Sequence, residues 1–406
     1  LIEIDSIYRY NSNIIEAQRC KFMRNVIVLG IGATTIDEHW DLSLRELAGE
    51  AGLAAMHDAG LSSVDSIYIG NMMSGSANHQ QHLGSYIGDW LGLKYSEAVR
   101  IEAACSSSAA TFRSALMAVA SGQVDSALAI GVEKMTDSPG GEITAELATA
   151  ADADWEGDHG LSFVALNALV MQRYLHEYGW KHEHFANFSI NAHQNAVHNP
   201  LARFHSPINF DKFEKASSIA DPIKLFDASP MGDGSAAILI AAEDAVLATS
   251  KPRIRVLGSG AATDAIAVHG RKDPLWLRAA EKSVKDAYAQ AGIGPDDIDL
   301  FEYHDAFTIM AALSLEACGF VERGKGPQLA LDGAILPNGK IPVATRGGLK
   351  ARGHPVGATG MYQIYEVIQQ LREDAGKNQI ENAKIGMTQN IGGSGSNIIT
   401  HIFGRV

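Results

Sequence analysis

Apolar residues along this chain come in short runs closed by glycine and separated by longer stretches of mixed character. The run Asn25-Val26-Ile27-Val28-Leu29-Gly30-Ile31-Gly32 has the pattern of a strand buried on both faces. Gly30-x-Gly32 lacks the third glycine and the helix opening of a dinucleotide fingerprint. An internal echo organises the rest. Ala59-Gly60-Leu61 followed by Val64-Asp65-Ser66-Ile67-Tyr68-Ile69 recurs as Ala291-Gly292-Ile293 followed by Ile298-Asp299-Leu300-Phe301-Glu302-Tyr303. In both copies a helical stretch stops at glycine and a strand begins with an apolar-Asp pair, so the chain reads as one unit used twice. A helix from Thr111 to Ser121 precedes the strand Ala127-Leu128-Ala129-Ile130, and a helix from Tyr362 to Arg372 precedes Ile385-Gly386-Met387-Thr388. Helices alternating with apolar strands predict an α/β fold with layered halves.

Residues 1–22 show no sustained period and no signal-peptide arrangement. They are expected to be a leader outside the fold, which would open at Met23. Bulk properties narrow the function. With 406 residues, 46% of them hydrophobic, the chain can bury a large core in two domains or one duplicated unit. A net charge of −14 argues against nucleic acid and anionic membrane surfaces as partners, and no apolar run reaches membrane-spanning length. Cys20, Cys105 and Cys318 are too few and too scattered for a disulfide framework or a zinc site, which points to a reducing, cytoplasmic compartment.

Candidate chemistry sits where small residues crowd together. Gly353-His354-Pro355-Val356-Gly357-Ala358-Thr359-Gly360 reads as a base at a turn into a helix, with Gly357 and Gly360 letting that helix start close against other backbone. Cys105, in Glu102-Ala103-Ala104-Cys105-Ser106-Ser107-Ser108-Ala109-Ala110, falls at another helix start. There the helix dipole and free N–H groups are expected to favour thiolate and to receive an oxyanion. Taken alone, Cys105 reads sooner as an inert packed cysteine than as a nucleophile; His354 reverses that order.

Together with His304-Asp305-Ala306-Phe307, these two segments occur in the order and at the separations of the thiolase superfamily, which the chain resembles from about Met23 onward. The likeness is strongest to archaeal acetyl-CoA acetyltransferases. It extends to Ser43-Leu44-Arg45-Glu46-Leu47-Ala48, Val132-Glu133-Lys134-Met135 and Ala150-Ala151-Asp152-Ala153-Asp154-Trp155-Glu156-Gly157. The resemblance implies two duplicated α/β halves, 23–250 and 251–406, forming a five-layer αβαβα sandwich with a loop domain at 136–225. It implies condensation of two acetyl-CoA to acetoacetyl-CoA and CoA through an acetyl-cysteine, with no metal and no cofactor beyond the coenzyme A thioester.

The same likeness makes Cys105 the acyl carrier and His354 its base, with His304 and the backbone of Gly392 as oxyanion donors. Ser229 and His159 are implied as coenzyme A contacts, and Asp233-Gly234 matches a turn near pantetheine. Arg203, Lys212, Lys215 and Lys224, and Arg346, Lys350 and Arg352 beside His354, are the basic residues a polyanionic ligand would need. Seven histidines crowd the middle segment, among them His182, His184, His193 and His198, without the spacing of a hydrolytic zinc site.

The chain departs from common thiolases at two positions. Ala306 and Asn390 stand where relatives keep a second catalytic cysteine, so proton transfer must fall to His304, to His354 or to a water they hold. A Cys-His-His set is also that of β-ketoacyl synthases, which condense malonyl thioesters by decarboxylation; a non-catalytic acyl-CoA-binding or scaffold homologue is the third alternative. The resemblance further implies a homodimer or tetramer, and an assembly with hydroxymethylglutaryl-CoA synthase and a small zinc-ribbon protein that would feed mevalonate and isoprenoid synthesis.

Overall fold

The computed structural model describes residues 24–246 and 251–406. The leader 1–22 and Cys20 lie outside the described residues. The strands are β1 (Val26–Ala33), β2 (Ser66–Gly70), β3 (Glu97–Ile101), β4 (Ser126–Glu133), β5 (Ser218–Ala220), β6 (Ile223–Lys224), β7 (Gly234–Ala242), β8 (Ile254–Thr263), β9 (Leu300–Glu302), β10 (Ile385–Gly392) and β11 (Asn397–Arg405). The helices are α1 (Leu44–Ala59), α2 (Leu83–Trp90), α3 (Ser107–Ala120), α4 (Gly140–Ala148), α5 (Phe163–Tyr178), α6 (Ala186–Ala196), α7 (Phe210–Glu214), α8 (Arg278–Ala291), α9 (Thr308–Ala317), α10 (Gly326–Leu331) and α11 (Thr359–Arg372). No helix among the described residues is long and apolar enough to cross a membrane.

Nine strands pair in the order β3-β2-β4-β7-β1-β8-β11-β10-β9, while β5 and β6 form a separate hairpin. The sheet reads as two halves joined at one seam. β1 and β8 share only the pairs Ile27↔Arg255 and Val28↔Ile254. From the seam outward, β1-β7-β4-β2 mirrors β8-β11-β10-β9, and in each half the last pair is parallel. The counterpart of β3 is reduced to a single bridge, Phe301↔Val343.

The sequence echo has a physical content in this symmetry. Gly60 and Gly292 each end a helix, α1 and α8, at φ +70°, a left-handed conformation that carries no steric penalty in glycine. Asp65 then accepts backbone N–H groups from Asp125 and Ser126 at the start of β4 (3.0 and 2.9 Å). Asp299 does the same for Lys384 and Ile385 at the start of β10 (both 2.8 Å). Each aspartate thus sets the height at which the next strand of its half enters the sheet.

Alternation along the strands sorts side chains into layers. Ala127 and Ala129 of β4, with Ile238 and Ile240 of β7, face the central helices α3 and α11. Leu128, Ile130 and Leu239 face α1 and α2. In the second half Leu300 and Phe403 point to the centre, and Phe301 and Ile402 point to α8. The five layers implied by the resemblance are therefore present: α1 with α2, half-sheet, α3 with α11, half-sheet, α8. Both central helices start earlier than their composition predicts, at Ser107 and Thr359, because small residues that look like loop are first turns packed where nothing larger fits.

A buried ion pair reaches the central layer. Arg352 has no exposed surface and pairs with Glu366 on α11, its guanidinium 5.4 Å from the ring centre of Tyr362. Removing one member of such a pair strands the other charge in a medium that cannot solvate it. Glu366→Ala should lower the unfolding free energy by about 3–5 kcal/mol, measured by urea denaturation. A loss too small to resolve would show that Arg352 is neutralised by another group.

Candidate active site

The starts of α3 and α11 meet. The Met361 N–H donates to Ser108 Oγ (2.9 Å), and a Cβ at Gly360 would sit 2.8 Å from the Ala109 nitrogen, so only glycine permits this approach. Cys105 lies just upstream of α3 and His354 just upstream of α11, and the contact of the helices draws the two loops together. The cysteine turn is strained, since Ala104 adopts φ +51° without being glycine. It is held by the Ala103 N–H on Ser107 Oγ (2.9 Å) and the Ala104 N–H on Glu102 (2.5 Å).

The histidine turn is held by a carboxylate. Buried Glu133 at the end of β4 accepts the N–H of Gly357 (2.9 Å), those of Met72 and Met73 (2.9 and 3.0 Å) and the Asn71 amide (2.8 Å). A Cβ at Gly357 would lie 2.4 Å from that carboxylate. The His354 N–H donates to the Pro230 carbonyl (3.1 Å). His304, just past β9, completes the set, its ring centre 5.1 Å from that of His354 and nearly perpendicular to it.

Cys105, His304, His354 and Gly393 line one cavity of about 370 Å³. Its walls are otherwise mainly apolar, with Leu147, Phe163, Leu225, Phe307, Val356 and Ile391 among them. The two histidines are nearly buried and neutral. Desolvation, with the charge of Arg352 nearby, holds His354 down to about 3. Burial, His354 and Arg352 hold His304 well below its ordinary value.

Their partners give them opposite tautomers. An Asn390 amide nitrogen lies 2.9 Å from His304 Nδ1, and an amide NH₂ only donates, so Nδ1 accepts and the proton sits on Nε2. His354 Nδ1 lies 2.6 Å from Thr359 Oγ1, whose own hydroxyl is directed to the Pro355 carbonyl (3.4 Å). With the hydroxyl so directed, Oγ1 accepts from Nδ1–H and Nε2 keeps its lone pair. One ring presents a donor and the other a base.

Cys105 corrects the sequence expectation. Although it is half-buried and open to the cavity, desolvation and the negative charges of Glu133 and Glu102 push its thiol up to about 12. The backbone N–H groups of Gly393 and of Cys105 itself oppose this without overcoming it. The helix start does not make a standing thiolate. The N–H that reaches the sulfur is that of Gly393 rather than Gly392; at Gly392 a Cβ would lie 2.6 Å from the Ala103 carbonyl oxygen and 2.7 Å from Ser106 Oγ.

Of the other expected contacts, Ser229 lines the cavity, with its N–H on the Ala306 carbonyl (2.9 Å). Ala306 lines it too, so no sulfur fills that slot. His159 is exposed and outside the lining. Arg203 is paired with Asp37 and Glu38 (3.3 and 2.6 Å), and Lys224 with the Glu214 carbonyl (2.6 Å); neither reaches the cavity. Asp233 is a buried brace that accepts the N–H groups of Met135 and Thr136 and the Lys134 ammonium. His182 is bonded to Asp227 (2.6 Å). Reasoning from sequence missed His193 as a cavity wall, and no local motif marks it. Because Cys105 rests as a thiol, its alkylation by iodoacetamide should be slower at pH 7 than that of free cysteine and should keep rising to pH 10. A plateau near pH 8 would mean that the thiolate forms at ordinary pH.

Residues 26–244 match the family model described as thiolase, N-terminal domain, and residues 260–405 match thiolase C-terminal domain-like. An acetyl-CoA acetyltransferase of Methanothermobacter thermautotrophicus is 43% identical over 385 residues, covering 94% of this chain and 100% of that protein. The benzoylsuccinyl-CoA thiolase subunit BbsB of Thauera aromatica is 32% identical over 381 residues, 92% of this chain and 96% of that one. Among solved structures, an Ltp2-ChsH2(DUF35) aldolase superposes with a TM-score of 0.81 at 24% identity, covering 94% of this chain and 98% of that one. The chain belongs to the thiolase superfamily of acyltransferases, in the company of the archaeal acetyl-CoA acetyltransferases.

Proposed function

We propose that this chain joins two acetyl-CoA molecules into acetoacetyl-CoA and CoA with Cys105 as the only acyl carrier. The observation that carries the reading is the convergence of Cys105, a lone-pair imidazole, a donor imidazole and the Gly393 N–H on one largely apolar cavity. His354 Nε2 takes the thiol proton as sulfur attacks the thioester carbonyl, and the oxyanion is received by the N–H groups of Gly393 and Cys105. The expelled CoA thiolate takes that proton from the imidazolium. This leaves acetyl-Cys105 and a neutral His354.

The second acetyl-CoA then loses an α-proton to His354, while His304 Nε2–H holds the enolate oxygen. The carbanion attacks acetyl-Cys105, and the departing sulfur recovers the proton. In this scheme one base serves both halves, and Asn390 is a positioning residue that keeps His304 a donor. The acetyl-CoA acetyltransferase relatives support acetyl as the group transferred.

The condensation is uphill, so a cytoplasmic role feeding hydroxymethylglutaryl-CoA and mevalonate synthesis is the setting in which it would run forward. A homodimer or tetramer beside the synthase and a small zinc-ribbon protein would suit that setting. The structural neighbour's name joins two components, which supports work beside a partner.

Cys105→Ala should abolish labelling by acetyl-CoA as well as turnover. His304→Ala should still acquire the label but lose exchange of acetyl-CoA α-protons with deuterated solvent, and condensation should fall by about 10²-fold or more. Near wild-type condensation in His304→Ala would overturn the two-histidine mechanism, and condensation with malonyl-CoA but not acetyl-CoA would replace the reading by a decarboxylating one.

A further inference from the structure

Among the described residues the cavity wall contains one formally cationic side chain, Lys350, and no aspartate or glutamate. Lys350 is 1% exposed and sits in the π-helical turn Gly348–Arg352 that leads to His354. An ammonium offers three donors, and among the described residues Lys350 Nζ makes one hydrogen bond, to the Asp227 carbonyl oxygen (2.5 Å).

The nearby carboxylates do not neutralise it at contact distance. Asp227 is engaged by His182 and Thr308 (2.6 Å each) and by the Lys224 N–H (2.9 Å). Asp305 accepts the Leu349 N–H (2.7 Å) through one oxygen, while its other oxygen is buried without a partner. His193, on the same wall, is held neutral by burial and by Lys350 and Lys212. A buried, under-bonded ammonium in a largely apolar wall is unfavourable until an oxygen acceptor meets it. An acetyl group brings only its reacting carbonyl, which the Gly393 and Cys105 N–H groups already receive.

We propose that, beyond acetyl, Lys350 makes the cavity prefer acyl thioesters bearing a second oxygen function, above all a carboxylate, at the end of the acyl chain remote from the sulfur, over alkyl chains of the same length. The proposal rests on the reading of Cys105 as acyl carrier. In it the ammonium and the distal carboxylate form a charge-assisted hydrogen bond inside the apolar wall, where water competes least. An alkyl chain of the same length leaves the ammonium unmatched.

The test compares two four-carbon acyl groups that differ only at the far end. Acylation of Cys105 by succinyl-CoA and by butyryl-CoA is followed by intact-mass spectrometry on the full chain, with acetyl-CoA as control. Wild type should acylate faster with succinyl-CoA, and Lys350→Met should lower the succinyl-to-butyryl ratio by roughly tenfold or more. Lys350→Gln, which keeps a polar head without the charge, should lower it in the same direction and serves if the Met variant fails to fold.

A wild type that does not prefer succinyl-CoA overturns the proposal, as does a folded variant whose ratio is unchanged. Equal slowing of all three thioesters with weaker binding of free CoA also overturns it, by assigning Lys350 to the coenzyme arm. If acetyl-CoA itself fails to label wild type, it is the acyl-carrier reading that fails. Labelling by acetyl-CoA without succinyl selectivity defeats only the present proposal.

Discussion

Everything at the centre of this molecule follows from the contact between the first turns of α3 and α11. Two helices can start within van der Waals reach of each other only if their first residues are nearly without side chains, and the segments Ser107-Ser108-Ala109 and Thr359-Gly360 meet that condition. The loops just ahead of those turns then have no freedom to diverge. Cys105 and His354, more than two hundred residues apart, are brought to one cavity by backbone packing rather than by any bond between their side chains. The duplicated sheet serves the same end, since each half presents one of the two helices to the other across the central layer.

Around that contact the polar groups divide into braces and reactants. Glu133, Asp233, Asp65 and Asp299 spend their oxygens on backbone N–H groups and fix loop heights. Thr359 turns its hydroxyl, and Asn390 its amide nitrogen, to an imidazole nitrogen, and so they fix tautomers. Two identical side chains thereby acquire opposite hydrogen-bonding character without any difference in charge. Arg352 contributes too, since its field adds to desolvation in keeping both rings neutral.

Much of this was legible in the sequence. The order of the cysteine, His-Asp and Gly-His-Pro segments pointed to the family, and the repeated apolar-Asp pair marked the two halves, because both are carried by residues adjacent in the chain. What stayed hidden depends on segments far apart. The rise in the Cys105 thiol comes from burial and from Glu133, which no local helix-dipole argument includes. The shift from Gly392 to Gly393 is a one-residue matter of where β10 ends. Arg203 and Lys224 looked available to a polyanion because their partners, Asp37, Glu38 and Glu214, are assigned only by tertiary structure. His193 reached the cavity through the packing of α6, and its sequence neighbours say nothing of that.

The protonated resting state of Cys105 has an effect beyond acyl transfer. Peroxides and disulfides react with thiolates, and sulfurs that sense oxidants are exposed and acidic. A thiol pushed up to about 12 offers such reagents almost no anion. The desolvation that makes ionisation costly thus disfavours reaction with oxidants while the sulfur rests as a thiol.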